Sequence, residues 1–315
     1  MSPDGEGVAA LVLEWNGSAE TIRAVRSVLK SEPPVDRVFV LINGSSAGHR
    51  EALRREFGAS DRIVLHESDV NLGFAGGVNH LFRRLMEQPD APGLLLLLNN
   101  DAEVEPRTIA RLARAVLEDQ RIGIAGPRIL RTGTDRVIAD DGAAVIPWLL
   151  QQRFRGAGRK DSEIPASAPR DVPFVAGTCM LLRTALFERL GGFDERFFAY
   201  FEDWDLCVRA ARVNARCRHV PDAIAWHATE KAQGSRRRFF QFLMTRNRYL
   251  MARMHLGVAV RWFVFLPYFL LVRVLVNVLR RLAAGDVDGA HGVVLGVLWL
   301  ITPSAQRARF WPEPS

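Results

Sequence analysis

The chain has 315 residues, 48% of them apolar, with a formal net charge of +7 at pH 7. That length allows one large domain or two with real cores, and the basic balance points to a negatively charged partner: nucleic acid, anionic lipid or a phosphorylated ligand. Three cysteines, Cys179, Cys207 and Cys217, form no Cys-x-x-Cys pair, which argues against a disulfide framework or a zinc site and for a reducing compartment.

Asp4 and Glu6 precede a short apolar run, without the basic start and long apolar core of a signal peptide. The expected place is the cytosol or its membrane face. Val8 to Leu13 reads as a strand, and Ser18 to Leu29 as a helix with Ile22, Val25, Val28 and Leu29 on one face. Arg37 to Ile42 is a second strand, Gly44-Ser45-Ser46 a turn, and Ala47 to Phe57 a polar helix. Arg62 to Leu65 is a short strand and Gly76 to Met86 a helix. Gly93 to Leu98, with five consecutive leucines, reads as a strand buried on both faces. A helix from Pro106 to about Leu117 and a strand at Ile122 to Ala125 follow. Repeated strand–helix alternation predicts a mostly parallel sheet with helices on both faces. Gln151 to Arg170, rich in Gly, Arg, Ser, Ala and Pro, reads as a mobile loop. Val172 to Leu182 returns to strand character. Glu202 to Val213 is a helix, and Ala215 to Val220 and Ile224 to His227 are short strands. After Ser235 the pattern is helical and basic, then apolar.

Four places carry chemistry. The leucine strand runs into Asn99-Asn100-Asp101, which delivers a carboxylate to the strand end where open α/β sheets bind ligands. One such acid suffices for a hard divalent cation carrying phosphate oxygens. The same residues also suit a turn and a helix cap. Gly191 to Asp205 gathers five carboxylates among aromatic rings, which can lift a carboxylate pKa toward that of a general base. Glu202 and Asp203 also stand where negative charge favours a helix start. The glycine-rich turn Asn71 to Asn79 precedes a helix and can bring backbone N–H groups to an anion, or simply turn the chain. His227 ends a strand, either as a buried histidine or as a metal ligand.

Taken together, these segments are similar in order and separation to family 2 glycosyltransferases of the GT-A fold, closest to the bacterial rhamnosyltransferase-like branch. The resemblance covers roughly Val8 to Leu256. It rests on Trp15-Asn16-Gly17, Asn43-Gly44-Ser45, Asn71 to Asn79, Leu98 to Asp101, Gly177-Thr178, Gly191 to Glu195, Glu202 to Cys207, His227 and Thr245 to Arg248. It implies an α/β fold with a Rossmann-like central sheet over residues 1–235, while the basic and apolar composition beyond it reads as a C-terminal helical, membrane-associated region over 236–315. It also implies that Asp101 binds Mg2+ or Mn2+ bridging a sugar-nucleotide diphosphate, with His227 completing the metal site. Asp203 takes the place of the general base for direct, inverting displacement. Trp15, Asn16, Asn43, Asn71, Gly73, Phe74, Gly76, Asn79, Asn99 and Asn100 lie where the family builds its nucleotide-sugar pocket. Gly177, Thr178, Glu202 and Trp204 lie on the donor-sugar and acceptor side. A metal stabilises the departing diphosphate while a carboxylate takes the acceptor proton.

Two departures stand out. Ile42 occupies the place of the family's usual acid before Asn43, whereas Glu14 precedes Trp15 where a neutral residue is usual. Asn99 and Asn100 replace the first acid of the metal motif. A non-catalytic nucleotide- or polysaccharide-binding relative of the same fold is the alternative that these departures keep open.

From Lys231 to Gly285 there are eleven Lys and Arg and no Asp or Glu. Within this stretch Trp262 to Val272 is apolar but short of the ~20 residues of a bilayer span. Gly289 to Gln306 is longer and free of formal charge. The expectation is interfacial helices on an anionic leaflet, with a pair of packed helices or an oligomer contact as the other reading. The partners implied are a nucleotide-diphosphate sugar, a glycan or polyprenyl-linked glycan acceptor, the inner face of the cell membrane, no nucleic acid, and a further copy of the chain.

Overall fold

The computed structural model describes residues 7–165, 167–228, 234–304 and 311. In chain order the main elements are β1 (Val8–Glu14), α1 (Ser18–Leu29), β2 (Arg37–Asn43), α2 (Ala47–Phe57), β3 (Ile63–Ser68), α3 (Gly73–Met86) and β4 (Leu94–Asn99). Then come β5 (Ala102–Val104), α4 (Thr108–Leu117), β6 (Ile122–Arg131), β7 (Ile138–Asp140), β8 (Ala143–Ile146), β9 (Gln151–Phe154), β10 (Arg170–Val172) and β11 (Cys179–Arg183). The rest are α5 (Thr184–Arg189), α6 (Glu202–Arg212), β12 (Arg216–His227) and α7 (Gly234–His255), followed by helices Val258–Ala283 and Val287–Ile301.

The chain forms two compact units. The first comprises residues 1–144, 153–198 and 202–229 and holds the main sheet, in the order β10-β12-β6-β11-β4-β1-β2-β3. The leucine strand β4 pairs in parallel with β1 and antiparallel with β11. All five leucines are buried, as a strand covered on both faces requires. Helices α1 and α4 pack through Ala24, Val25, Val28, Ile109, Leu112 and Val116 into the same apolar cluster as Val12, Val40 and Leu96. The open sheet edge order places β4 near the middle, so its carboxyl end opens centrally.

The alternation of strands and helices through α4 follows the sequence pattern. Beyond it, four expectations are corrected. β6 runs on through Gly126 and Pro127 to Arg131 because β12 lies beside it in parallel along that length. The two short strands expected at Ala215–Val220 and Ile224–His227 are one strand, β12, with a register shift between Val220 and Ile224. Gln151 to Arg170 is not one long loop: β9 pairs with β8, and Arg128 and Arg136 both bind Asp161. These ion pairs supply the ordering that Gly and Pro content withholds. Val172 to Leu182 also divides, into the ends of β10 and β11.

The second unit comprises residues 145–152, 199–201 and 230–315. Its α7 lies against helix Val287–Ile301, with Gly292 and Gly296 meeting the α7 backbone near Arg238 and Phe242. Buried Arg248 of α7 donates to the Leu150 carbonyl and covers the Phe201 ring at 5.1 Å. Burial pushes the Arg248 guanidinium down to about 9. The apolar run expected at Trp262–Val272 is part of a continuous 26-residue helix, Val258–Ala283, with mean hydropathy 2.0 over its most apolar window. It is long and apolar enough to cross a membrane, contrary to the length read from the uncharged run alone. Arg273 interrupts the run of uncharged residues but not the helix, since a long-stemmed Arg is a good helix former. The end of the Gly289–Gln306 run, from Ala305, lies outside the described residues.

Candidate active site at the end of the leucine strand

The site assembles where β4 stops. Asn99 donates its backbone N–H to the Thr178 carbonyl at 3.0 Å. One residue earlier, Gly177 donates its N–H to Asp203 Oδ2 at 2.8 Å. The turn before β11 thus joins the Asn99-Asn100-Asp101 turn to the start of α6. On the other side of the turn, Asp101 Oδ1 lies 3.2 Å from His227 Nε2, at the end of β12. The Asp101 carbonyl accepts from Ala228 N, which fixes the two strand ends together. Asn100 donates to Thr21 Oγ1 of α1 at 3.2 Å.

Asp203 is half-buried and accepts two backbone N–H groups, from Gly177 and, at 2.7 Å, from Trp204. Burial pushes its carboxyl up to about 6, against those N–H donors, which hold it down. Its neighbour Glu202 is buried, and its Oε2 has no hydrogen-bond partner among the described residues. Burial, then the Asp203 charge, holds Glu202 well above the usual carboxylate range. Burial raises both adjacent acids, and at Asp203 the Gly177 and Trp204 N–H groups oppose it. Asp205 is fully buried and pairs with Arg209 at 2.7 Å, and Arg209 also donates to the Leu190 and Gly192 carbonyls. That acid organises the Gly191-Gly192 turn. Trp204 is buried against Phe174.

The glycine-rich turn engages three of its N–H groups within the chain. The N–H groups of Leu72, Gly73 and Ala75 donate to Asn43 Oδ1, Asn71 Oδ1 and the Phe198 carbonyl. Gly73 has φ +73, and a Cβ there would lie 2.6 Å from Phe198. Gly76 faces Leu72 and Glu195, and Gly77 faces Leu13. The glycines admit close packing, so the N–H groups are already engaged. Asn43 is held by Asn71 and Gly73, while Asn79 clamps Phe193 N, Phe193 O and Glu195. The Phe74 ring packs on Phe193.

Trp15 and Asn16 follow β1. Asn16, at φ +48, accepts from Ser46 N. Glu14 lies opposite Ile42 in register, and both are fully buried. Its two oxygens accept from Gly17 N at 2.8 Å and Ser45 Oγ at 2.6 Å. Glu14 thus joins two loops, and its oxygens have partners within the chain.

Sequence reading gave no individual role to Thr21 or Asn247. Asn247 donates to the Ala199 and Tyr200 carbonyls at 2.7 Å each, just before α6. Tyr200 and Phe201 have φ values of +67 and +77, a conformation that costs bulky residues energy. Asn247 stood in a quoted motif, but only the fold shows what it holds.

Among the described residues no cluster of three or more His, Cys, Asp or Glu is placed to hold a metal. Asp101 and His227 nevertheless fit a cation that brings most of its oxygen ligands with it, because such an ion needs only one or two protein donors. Neither side chain is deeply buried, at 35% and 23% exposed.

Residues 3–251 match the family model described as Glycosyltransferase like family 2. An N-acetylglucosaminyl-diphospho-decaprenol L-rhamnosyltransferase of Mycobacterium tuberculosis is 28% identical over 222 residues, 65% of this chain and 70% of that protein. The low-salt glycan biosynthesis hexosyltransferase Agl10 of Haloferax volcanii is 29% identical over 59% of this chain and 58% of its own length. In fold, the chain is similar to GalNAc-T7 solved with UDP, GalNAc and Mn2+, at a TM-score of 0.66 and 14% identity, covering 86% of this chain and 51% of that one. It is also similar to the mannosyltransferase PcManGT of Pyrobaculum calidifontis, solved with GDP-Man and Mn2+, at 0.58 and 17% identity, covering 97% and 85%. These likenesses place the sheet and its flanking helices in the GT-A fold. The chain belongs to glycosyltransferase family 2, on its rhamnosyltransferase-like branch.

Proposed function

We propose that the chain transfers a sugar from a nucleotide-diphosphate donor to a glycan hydroxyl with inversion, in cell-envelope polysaccharide synthesis. Rhamnose or another deoxyhexose is the leading donor sugar. The observation that carries this reading is the hydrogen-bonded link from Asn99 through Thr178 and Gly177 to Asp203, which ties a base candidate to the turn that carries Asp101. Asp203 receives the acceptor proton as the acceptor oxygen bonds to the anomeric carbon and the bond to the diphosphate breaks. One displacement needs no second carboxylate nucleophile. Gly177 N and Trp204 N fix the Asp203 oxygens, so the base is aimed before substrate arrives. Asp101 and His227 would hold Mg2+ or Mn2+, which when bound offsets charge on the departing diphosphate.

Trp15, Asn16, Asn71, Phe74, Asn99 and Asn100 would line the nucleotide side. Asn43, Gly73, Gly76 and Asn79 would shape it through the internal contacts described above. Gly177, Thr178, Glu202 and Trp204 would border the transferred sugar and acceptor. Residues 1–235 would carry catalysis and 236–315 attachment. The acceptor would be a polyprenyl-linked glycan on the cytoplasmic face of the membrane. The exposed apolar helix Val258–Ala283 supports this, as does the decaprenol-linked substrate in the mycobacterial relative's name. The test is a panel of sugar nucleotides with purified protein, read as donor binding and hydrolysis. A donor consumed by wild type and spared by Asp203→Asn supports catalysis. Donor binding without turnover in either favours a non-catalytic relative, the reading that buried Ile42 at the usual acid's place keeps in play.

A further inference from the structure

Helix Val258–Ala283 passes a length test for crossing a bilayer, but its attachments to α7 speak to its direction. Arg261 Nη1 at its start reaches the Arg253 carbonyl of α7 at 3.4 Å. Midway, Phe269 packs on Tyr249 with ring centroids 6.0 Å apart. Beyond its end, Asp286 accepts from Arg237 near the start of α7 at 2.6 Å and from Arg281 of the apolar helix itself. The pairings run 253 with 261, 249 with 269 and 237 with 286, so the two helices are antiparallel neighbours along their length. α7 carries Arg236, Arg237, Arg238, Arg246, Arg248 and Arg253. Six arginines on one helix cannot share a hydrocarbon core, since each costs several kcal/mol at its centre. Any orientation that drives Val258–Ala283 across a bilayer would take α7 with it.

The apolar helix shows large apolar side chains to solvent around much of its circumference, including the consecutive runs Trp262–Val264 and Leu270–Val272, with Phe263 82% exposed. A second element reaches the same region. The 3-10 turn Pro147–Leu149 approaches Arg261–Phe265 within 8 Å, Cα to Cα. Its Trp148 is 53% exposed, and Trp262 on the helix is 56% exposed. The turn's direction is fixed from behind: Leu150 is buried in the left-handed conformation, and its carbonyl accepts from Arg248. Two exposed tryptophans, fixed from two separate elements and flanked by Arg253 and Arg261, match the boundary between headgroups and acyl chains. Among residues 234–285 there is no acid to oppose an anionic headgroup.

Resting on the membrane reading of the proposed function, we infer that Val258–Ala283 lies in the plane of an anionic bilayer rather than across it. The turn carrying Trp148 is a second anchor beside the start of that helix. Charge brings the surface to the leaflet, and the apolar face holds it there.

The experiment uses the full chain on vesicles of phosphatidylglycerol and phosphatidylcholine. Gly257→Cys and Ala284→Cys bracket the helix, and the native thiols are all buried. An in-plane helix leaves both new thiols open to a membrane-impermeant maleimide added outside intact vesicles. Co-sedimentation of Trp148→Ser should show roughly tenfold weaker binding, the scale of one large side chain's burial. Its unfolding midpoint and donor binding in solution should match wild type. Protection of one thiol but not the other overturns the in-plane orientation while leaving membrane binding intact. Unchanged vesicle affinity in Trp148→Ser removes the second anchor. A wild-type chain that stays in the supernatant at low salt overturns the membrane reading itself, and this inference with it.

Discussion

Asp101 and Asp203 are set in different surroundings around one strand end. Asp101 is part-exposed and faces an imidazole. Asp203 is enclosed enough to lift its carboxyl to about 6, yet is pinned by two N–H groups. Solvation separates their uses. A carboxylate facing water and a histidine can take a cation that arrives with its own ligands. A carboxylate held in protein, with a pKa near the working pH, suits proton transfer.

The sharpest way to break this comparison is Asp203→Asn. Turnover is expected to fall ~10²–10⁴-fold while donor affinity stays near wild type, because only the proton acceptor is lost. Steady-state rates beside calorimetric donor binding decide it, and wild-type turnover would remove the base assignment. Asp101→Ala should instead weaken donor binding together with turnover, and EDTA should suppress wild type. His227→Ala should give a smaller loss of both. Full activity in EDTA would leave the diphosphate to Arg and Lys alone.

The pH profile sharpens the comparison further. Asp203 acts ionised, so kcat should fall as pH drops through about 6 and level off above it. Glu202→Gln should keep that limb, since burial and the Asp203 charge already hold Glu202 well above the usual carboxylate range. A limb that moves below pH 5 in wild type would show the base to be another group. A smaller effect tests burial without chemistry. Asp140 is buried, its Oδ1 has no hydrogen-bond partner among the described residues, and its carboxyl is pushed up to about 7. Between its unfolded value of ~3.9 and about 7, the folded state binds the extra proton, so stability falls as pH rises through that window. Asp140→Asn lacks this loss. Urea unfolding at pH 4.5 and 7.5 should show the variant gaining on wild type at the higher pH, to a ceiling of roughly 4 kcal/mol. Parallel changes in the two proteins would show that Asp140 ionises in the folded state as freely as in the unfolded one.

The first half of the fold was legible because each element shows its own period: five leucines for β4, and Ile22, Val25, Val28 and Leu29 for α1. The second half was less so, because its elements depend on distant partners. β6 continues through Pro127 only because β12 lies alongside, and Arg128 orders a segment that composition reads as loop. At the site, the acids and His227 could be named from the sequence, as could their strand-end setting. That Glu14 is tied to Ser45 and Gly17, and that the glycine turn's N–H groups are taken, could not. They depend on hydrogen bonds between residues far apart in the chain, such as Glu14 with Ser45 and Leu72 with Asn43, which no local pattern records.

Arg128 has a further consequence. Its guanidinium binds Asp141, Asp161 and the Ile164 carbonyl from inside the protein. The excursion between Arg128 and Ile164 is therefore a bight of chain lashed at its base. At an outer bend, a side chain added at Gly133 would meet nothing within 4 Å. Extra residues spliced in at that bend would hang free of the knot, so this excursion can lengthen without moving the strand ends that hold the site. Arg128→Lys, which keeps the charge but not the planar fork, would slip it.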